Sequence, residues 1–223
     1  MDRSSQGFGI FERVFARREM EQALQAFASA QVERTKAGAR HLLGVPIVRQ
    51  LALDNRLVTI AAEFVGQNAA PFRATLFDKS SHANWLVPWH QDTALPLRHR
   101  VDHAEWGPWS MKAGVLYAHA PARALEQVVA LRISLDDSRR TNGPLRVLPN
   151  THCSGVLTDE DIERLARTIS PVDCLAESGG VVAMRPLTVH GSSKSVADQP
   201  RRVLHIEYAV TMTLSSNVEL AIV

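Results

Sequence analysis

The spacing of apolar residues changes along the chain. In the N-terminal part, apolar side chains recur every three or four positions, which places them on one face of a helix. The predicted helices cover residues 17–34, 45–53 and 55–65, and Gly38 offers a stop after the first of them. We therefore predict a helical N-terminal part, about residues 10–66, that packs against a sheet.

After Pro71 the apolar runs become short, alternate with polar residues and are separated by Gly, Pro and Asn, as is typical of β-strands. The predicted strands cover residues 72–77, 86–92, 127–135, 145–148, 180–184 and 202–212. The absence of a regular β-α alternation argues against a parallel doubly wound sheet. We predict a mainly β protein with flanking helices (α+β class), with a jelly-roll core over about residues 70–213.

Two segments between the predicted strands differ from this pattern. Thr158 begins a sequence that is similar to a capping box, which predicts a short helix as far as Arg167. Residues 97–114 form a long connection that includes Trp106 and Trp109, and connections of this length often cover a binding site.

Composition narrows the classes of function. The 223 residues fit one domain over residues 1–223. The 25 lysines and arginines nearly balance the 23 acidic residues and are scattered, which argues against binding to nucleic acid or an anionic membrane and favours a small-molecule partner.

No apolar run approaches the length of a membrane span, and the polar N-terminus does not resemble a signal peptide, so we expect a cytoplasmic protein. Oligomeric state is not encoded in any pattern that we can identify.

Two histidines and one aspartate form a candidate metal site. Residues two apart in a strand point the same way, so His90 and Asp92 can both reach one ion from a strand end. His190 must then come from a different strand. Two imidazoles and one carboxylate are the facial triad that holds Fe(II) and leaves positions open for other ligands. The pair of His90 and Asp92 alone is a weak signal, because nine histidines make such a spacing common by chance.

Three segments strengthen this interpretation. Residues 77–92, 135–152 and 185–193 resemble, in the same order, the bacterial phytanoyl-CoA dioxygenase family. The resemblance extends over most of the chain from about Arg40 onwards. It implies a double-stranded β-helix of the cupin-like kind, with Fe(II) as the metal, 2-oxoglutarate as co-substrate and O₂ as oxidant.

The resemblance also implies roles for single residues. His90, Asp92 and His190 are the implied metal ligands. Arg201 lies eleven residues after His190, as the 2-oxoglutarate-anchoring arginine of the family does, and a guanidinium can grip a carboxylate through two hydrogen bonds. Arg202 is a rival, but neighbouring strand residues face opposite sides, so only one of the two arginines can point into the barrel.

Weaker contacts with 2-oxoglutarate follow from the same resemblance. Ser192 is expected to supply a hydroxyl to the same carboxylate as Arg201, and the alternative is a solvated serine in a loop. For Arg201, the alternative is a surface arginine paired with Asp198. Arg132 and Thr75 fall where relatives place contacts from neighbouring strands, but the human-type family member carries tryptophan and methionine there, so a structural role stays open for both. Arg132 lies in an apolar run and needs a partner if it points inward.

The expected function is that of an Fe(II)- and 2-oxoglutarate-dependent dioxygenase that hydroxylates or otherwise oxidises a small organic metabolite and releases succinate and CO₂. Because the cofactors carry the chemistry, no catalytic residue beyond the metal ligands is required. Two alternatives stay open: a cupin-type metalloenzyme, which would not need Arg201, and a non-catalytic jelly-roll binding protein, since a fold does not assign a function. The chain lacks a G-x-S-x-G motif and a P-loop.

Overall fold

Four β-sheets and five α-helices make up the described part of the chain in the computed structural model, which covers residues 3–30, 32–35, 38–80, 83–215 and 217–223. The helices are α1 (Arg17–Ser29), α2 (Pro46–Ala52), α3 (Asn55–Val65), α4 (Ala122–Leu125) and α5 (Asp159–Thr168). The strands are β1 (Phe8–Phe11), β2 (Gly38–Arg40), β3 (Ala70–Lys79), β4 (Val87–His90), β5 (Ala94–Leu97), β6 (Trp109–Lys112), β7 (Val115–His119), β8 (Val128–Ser134), β9 (Leu145–Val147), β10 (Val172–Cys174), β11 (Val181–Met184), β12 (His190–Ser192), β13 (Arg201–Ala209), β14 (Thr213–Ser215) and β15 (Val218–Glu219).

Two antiparallel sheets form the core. The larger one has the strand order β1-β11-β8-β13-β3-β2, and the smaller one has the order β10-β9-β12-β4. Apolar side chains from both sheets pack together between them, namely Phe8, Val182 and Met184 from the larger sheet and Leu145, Val147 and Cys174 from the smaller. Antiparallel sheets packed face to face in this way form a jelly roll. The predicted mainly β fold with flanking helices is confirmed.

Alternation along β13 explains why one face of the larger sheet is polar. Leu204, Ile206 and Tyr208 face the helices and are fully buried in the main apolar core. The residues between them point the opposite way, into the space between the sheets. These inward positions include His205 and Glu207, which are also buried. The helices thus cover the outer face of the sheet and leave its inner face free for chemistry.

The three N-terminal helices bury one face each against this sheet, as their apolar spacing predicted. Asp54 caps α3 by accepting a hydrogen bond of 2.9 Å from the backbone N–H of Arg56, which satisfies one free donor of the first turn. Pro46 starts α2 at a position where no N–H is needed. None of the described helices combines the length and apolar composition that a membrane crossing needs.

Two predicted elements differ from the structure. Helix α1 ends at Ser29, earlier than predicted, and Thr35 and Gly38 then exchange backbone hydrogen bonds of 2.7 and 3.2 Å that lead into β2. Pairing of β2 with the sheet edge therefore overrides the helical spacing. The segment 97–114 is not one long connection, because β6 pairs with β7 around a turn in which Ala113 and Gly114 both have positive φ.

Candidate metal centre

Strand pairing brings the three predicted metal ligands together. His190 opens β12 and lies directly opposite His90, the last residue of β4, in the antiparallel register. Asp92 follows two residues after His90 and points to the same side. Donor atoms of the three side chains lie within 4.8 Å of one another. Ligands that are a hundred residues apart in sequence therefore converge on one point because two short strands are neighbours.

Backbone carbonyls fix the orientation of both imidazoles. The Nδ1–H group of His90 donates to the carbonyl oxygen of Pro88 at 2.8 Å, and that of His190 donates to Thr188 at 2.9 Å. With Nδ1 engaged in this way, Nε2 is the ring nitrogen that each histidine can offer to a metal. The two Nε2 atoms face Asp92, at 3.7 Å from Oδ1 for His90 and 3.4 Å from Oδ2 for His190.

Asp92 is held as a carboxylate. Burial acts to raise its pKa, but His190 and His90 outweigh this effect and keep the pKa well below its ordinary value. The charged form is the one that binds a metal ion. Two imidazole nitrogens and one carboxylate oxygen at this separation fit a non-haem Fe(II) ion, and a triad of this kind leaves positions on the metal open for further ligands.

Gln91 anchors the turn that carries two of the ligands. Alternation turns its side chain away from His90 and Asp92. Its amide N–H groups donate to the carbonyls of Leu187 and Gly155 at 2.7 and 2.9 Å, and its oxygen accepts from the backbone N–H of Leu157 at 2.8 Å. These bonds tie the β4 end to the segment that precedes His190, and so hold the ligands in register.

A buried pair of cations lies at the start of β13. Arg201 and Lys79 are direct partners in the β13–β3 register, and only 5% and 1% of their surfaces are exposed. The Nζ group of Lys79 donates to the hydroxyl oxygen of Ser192 and the carbonyl of Ser193, each at 2.7 Å, and Arg201 donates to the carbonyl of Asn142 at 3.2 Å. No carboxylate of a described residue lies within 4.0 Å of either cation.

The pKa values of these groups reflect their surroundings. Burial, together with Arg201 and Arg132, lowers the pKa of Lys79 to about 8. Burial and Arg132 lower the pKa of Arg201 to about 10. The interior thus holds positive charge that has no internal counter-charge, and such a cluster is suited to bind an anion.

The structure separates the two rival arginines as alternation requires. Arg202 points outward and donates to both carboxylate oxygens of Asp136, at 2.7 and 2.8 Å. Arg201 points inward, is buried, and does not pair with Asp198. Lys79 connects the two predicted co-substrate residues, because it lies opposite Arg201 in the strand register and donates to the Ser192 hydroxyl.

Arg132 and Thr75 meet at His205. Both lie opposite His205 in the strand register, Arg132 on one side and Thr75 on the other. The guanidinium of Arg132 donates to Nδ1 of His205 at 2.9 Å and lies over the ring of Phe77. Burial lowers the pKa of His205, so the ring is neutral and its proton is on Nε2, which is 3.5 Å from Glu207. His205 is thus the hydrogen-bond partner that an inward-pointing Arg132 needs.

Three polar residues of the interior were missed by the sequence analysis: Lys79, His205 and Glu207. Glu207 forms a buried ion pair with Arg73 and continues the chain of contacts from Arg132 through His205. The available signal was the alternation in β13, where Arg201, His205 and Glu207 fall on one face and the apolar residues Leu204 and Ile206 fall on the other. Lys79 carried no signal of its own, because a lysine at a strand end is usually exposed.

A cavity of about 330 Å³ opens on the metal site. Its walls include His90 and Asp92 from the centre, and Thr75, Phe77 and His205 from the larger sheet. The ligand atoms therefore face a space that is large enough for small molecules.

Comparison with known proteins agrees with this geometry. Residues 4–203 match the family model described as phytanoyl-CoA dioxygenase (PhyH). The L-proline trans-4-hydroxylase of Streptomyces griseoviridis is 25% identical over 178 residues, which cover 68% of this chain. The match spans 59% of the length of that relative.

Solved structures share the fold. AviO1 from Streptomyces viridochromogenes Tue57 is 23% identical, with a TM-score of 0.65, and the match covers 98% of this chain and 94% of that one. HygX from Streptomyces hygroscopicus, crystallised with nickel and 2-oxoglutarate, is 18% identical, with a TM-score of 0.67 and coverage of 94% and 85%. Because the family model matches most of the sequence, this chain belongs to the phytanoyl-CoA dioxygenase family of Fe(II)- and 2-oxoglutarate-dependent oxygenases.

Proposed function

We propose that this protein is an oxygenase that uses Fe(II), 2-oxoglutarate and O₂ to hydroxylate a small organic molecule, with release of succinate and CO₂. The observation that carries the proposal is the convergence of His90, Asp92 and His190 on one point, where His90 and Asp92 line a cavity. Family membership supports it. The chain is proposed to act as one domain.

His90, Asp92 and His190 are the proposed ligands of the iron. When bound together, iron and 2-oxoglutarate supply the oxidising chemistry, in which oxidative decarboxylation of 2-oxoglutarate is coupled to oxidation of the substrate. The protein holds the imidazoles through Pro88 and Thr188, keeps Asp92 ionised and surrounds the centre with buried strands. No protein group is required to accept a proton from the substrate.

Lys79, Arg201 and Ser192 are the proposed site for the distal carboxylate of 2-oxoglutarate. A dicarboxylate that enters the barrel needs positive charge to balance its own. The two buried cations can supply this charge, because no carboxylate of a described residue pairs with them. The guanidinium offers two parallel N–H groups, and the ammonium is already directed towards the Ser192 hydroxyl. Arg132 and Thr75, which flank His205, are proposed to line the path between this carboxylate and the metal.

Hydroxylation of a small metabolite is supported by the name of the relative, L-proline trans-4-hydroxylase. Asp92 also favours hydroxylation over halogenation, because its carboxylate would fill the position on the metal that a halide would otherwise take. A cupin-type enzyme that does not use 2-oxoglutarate would have no use for Lys79 and Arg201, which would then cost stability as buried unpaired charges.

Anaerobic spectroscopy and succinate assays test the proposal. Protein loaded with Fe(II) is expected to develop a weak visible absorption band when 2-oxoglutarate is added, and to release succinate in air. His190→Ala should abolish both signals, whereas His99→Ala, which changes an exposed histidine, should leave them intact. Metal binding with no response to 2-oxoglutarate would indicate the cupin-type alternative, and no metal binding would indicate a binding protein.

A further inference from the structure

Two cations at the mouth of the metal cavity have no role in the proposed chemistry. Arg40 ends β2, beside Thr75 in the β2–β3 register, and Lys112 ends β6 in the hairpin with β7. Both side chains line the cavity that contains His90 and Asp92. Two strands from different sheets therefore place positive charge at one space next to the metal.

Neither cation has a carboxylate partner among the described residues. Arg73 also lines the cavity, but it is paired with the buried carboxylate of Glu207. For Arg40 and Lys112, no carboxylate of a described residue lies within 4.0 Å. Asp92 is the acidic side chain in the cavity wall, and it is a proposed metal ligand. The positive charge of the mouth is thus available to a bound molecule.

The surroundings of Lys112 disfavour the charged form of its amino group. Its Nζ lies 4.9 Å from the centre of the Tyr117 ring, whose hydroxyl contacts His41 Nε2 at 2.9 Å. Burial, followed by Arg40 and Arg73, lowers the pKa of Lys112. Burial, Arg40 and Arg73 also lower the pKa of His41, so this histidine is a neutral neighbour. Repulsion between cations around one opening is relieved when an anion binds there.

We propose that the substrate carries an anionic group, a carboxylate or a phosphate monoester, that binds between Arg40 and Lys112 and directs the rest of the molecule at the metal. This inference rests on the proposed function, because it assigns the cavity beside the iron to the substrate. The proposed site of the co-substrate has its own cations, namely Lys79 at the end of β3 and Arg201 at the start of β13.

The dimensions of the cavity restrict the substrate further. A volume of about 330 Å³ is at the lower end of the range for small-molecule sites, which is roughly 300–1,000 Å³. Phe77 and Ala94 offer apolar surface, and Thr93 and His119 offer polar groups. The site thus fits a compact molecule with one charged end.

Matched pairs of compounds test this proposal. Succinate release by the Fe(II)-loaded protein is measured with amino acids and their carboxamides, hydroxy acids and their methyl esters, and phosphate monoesters and the parent alcohols. Acidic members are expected to stimulate succinate release at concentrations at least about tenfold below their neutral partners. The arm that responds identifies carboxylate or phosphate as the group recognised.

Variants connect the preference to the two residues. Arg40→Gln and Lys112→Met should each raise the half-saturating concentration of the preferred acid by about tenfold and reduce the ratio between acid and neutral partner, whereas Arg40→Lys should retain most of the preference. Arg49→Gln, which removes an exposed charge on α2, should behave as the unmodified protein.

The proposal is overturned if neutral partners stimulate as well as the acids, if no acid in the panel stimulates, or if the Arg40 and Lys112 variants keep the full preference. Failure of the proposed function is recognised separately in the unmodified protein. In that case, the visible band with 2-oxoglutarate and the slow succinate release without substrate would both be missing.

Discussion

The cationic side chains around the metal site lie in two clusters. Lys79 and Arg201 lie together at one end of the β3–β13 pair, and Arg40 and Lys112 lie at the mouth. A third cation of the interior, Arg132, donates a hydrogen bond to His205. Lys79 and Arg201 are buried, and buried cations without counter-charges are costly, so this pair is best explained by an anionic ligand. Arg40 is exposed and Lys112 is partly buried, and an anion is favoured there because both line one cavity without a carboxylate partner among the described residues.

Arg201 and Arg202 provide a paired test of the co-substrate site. Loss of a charge-assisted two-point contact costs a few kcal/mol, so Arg201→Ala is expected to weaken 2-oxoglutarate binding by roughly a hundredfold. Arg202→Ala removes the pairing with Asp136 on the outside of the sheet and should act mainly on stability. Anaerobic titration and denaturant unfolding measure the two effects. The reverse order would contradict the assignment of Arg201.

The pH dependence of binding tests Lys79. Its pKa of about 8 means that the free protein carries the charge below this pH and loses it above. The dissociation constant for 2-oxoglutarate should therefore be flat below about pH 8 and rise above it, by up to about tenfold per pH unit. Titrations at a series of pH values measure the bend. It should vanish in Lys79→Met and remain in Lys194→Met, which changes an exposed lysine; an unchanged bend in Lys79→Met would exclude this role.

At the scale of elements, a short edge strand carries one side of the cavity mouth. Strand β2 is three residues long and pairs with β3 through Gly38, Ala39 and Arg40. Gly38 has a φ of 129° and its Cα lies so close to β3 that an added Cβ would stand 1.8 Å from the carbonyl oxygen of Leu76. The position of Arg40 therefore depends on a glycine.

Gly38→Ala is expected to detach β2 and to lower the free energy of unfolding by about 1–3 kcal/mol, because the backbone must move to relieve both strain and overlap. Gly44→Ala is the matched control, since an added Cβ there has no neighbour within 4 Å. This control should change the free energy by less than about 0.5 kcal/mol. Urea unfolding measures both; equal effects would show that the β2–β3 contact is unimportant.

At the scale of the whole molecule, the site joins parts of the chain that are distant in sequence. Strands β4, β12, β3, β8 and β13 each contribute polar groups to one interior. A ligand that binds this assembly binds the folded state and not the unfolded chain, so it should stabilise the protein as a whole.

Anaerobic addition of Fe(II) alone, at about a hundred times its dissociation constant, should stabilise the fold by about 2.7 kcal/mol. For a chain of this length, that corresponds to an increase in Tm of roughly 5–10 °C. Thermal melts with and without a chelator measure the effect. His90→Ala should melt at one temperature under both conditions; a ligand-dependent increase in this variant would place the metal elsewhere.

The sequence by itself determined the features that depend on local pattern. Helical spacing predicted α2 and α3 closely, and Thr158 marked the start of α5, where its hydroxyl accepts from the N–H of Asp161 at 3.2 Å. Alternation predicted that one of Arg201 and Arg202 faces inward. The three candidate ligands were identified by residue type and family resemblance, and the organisation of the chain as one domain stays a prediction.

Only the tertiary structure decided the features that depend on strand pairing. The opposition of His90 and His190, the contact of Lys79 with Ser192, and the pairing of β2 with β3 after the early end of α1 all depend on hydrogen bonds between segments far apart in the chain. The shortest strands, such as β2, are too brief to show a period in the sequence, so their existence depends on the partner strand. Local spacing fixes which way a side chain points, whereas the register of distant strands fixes what it meets.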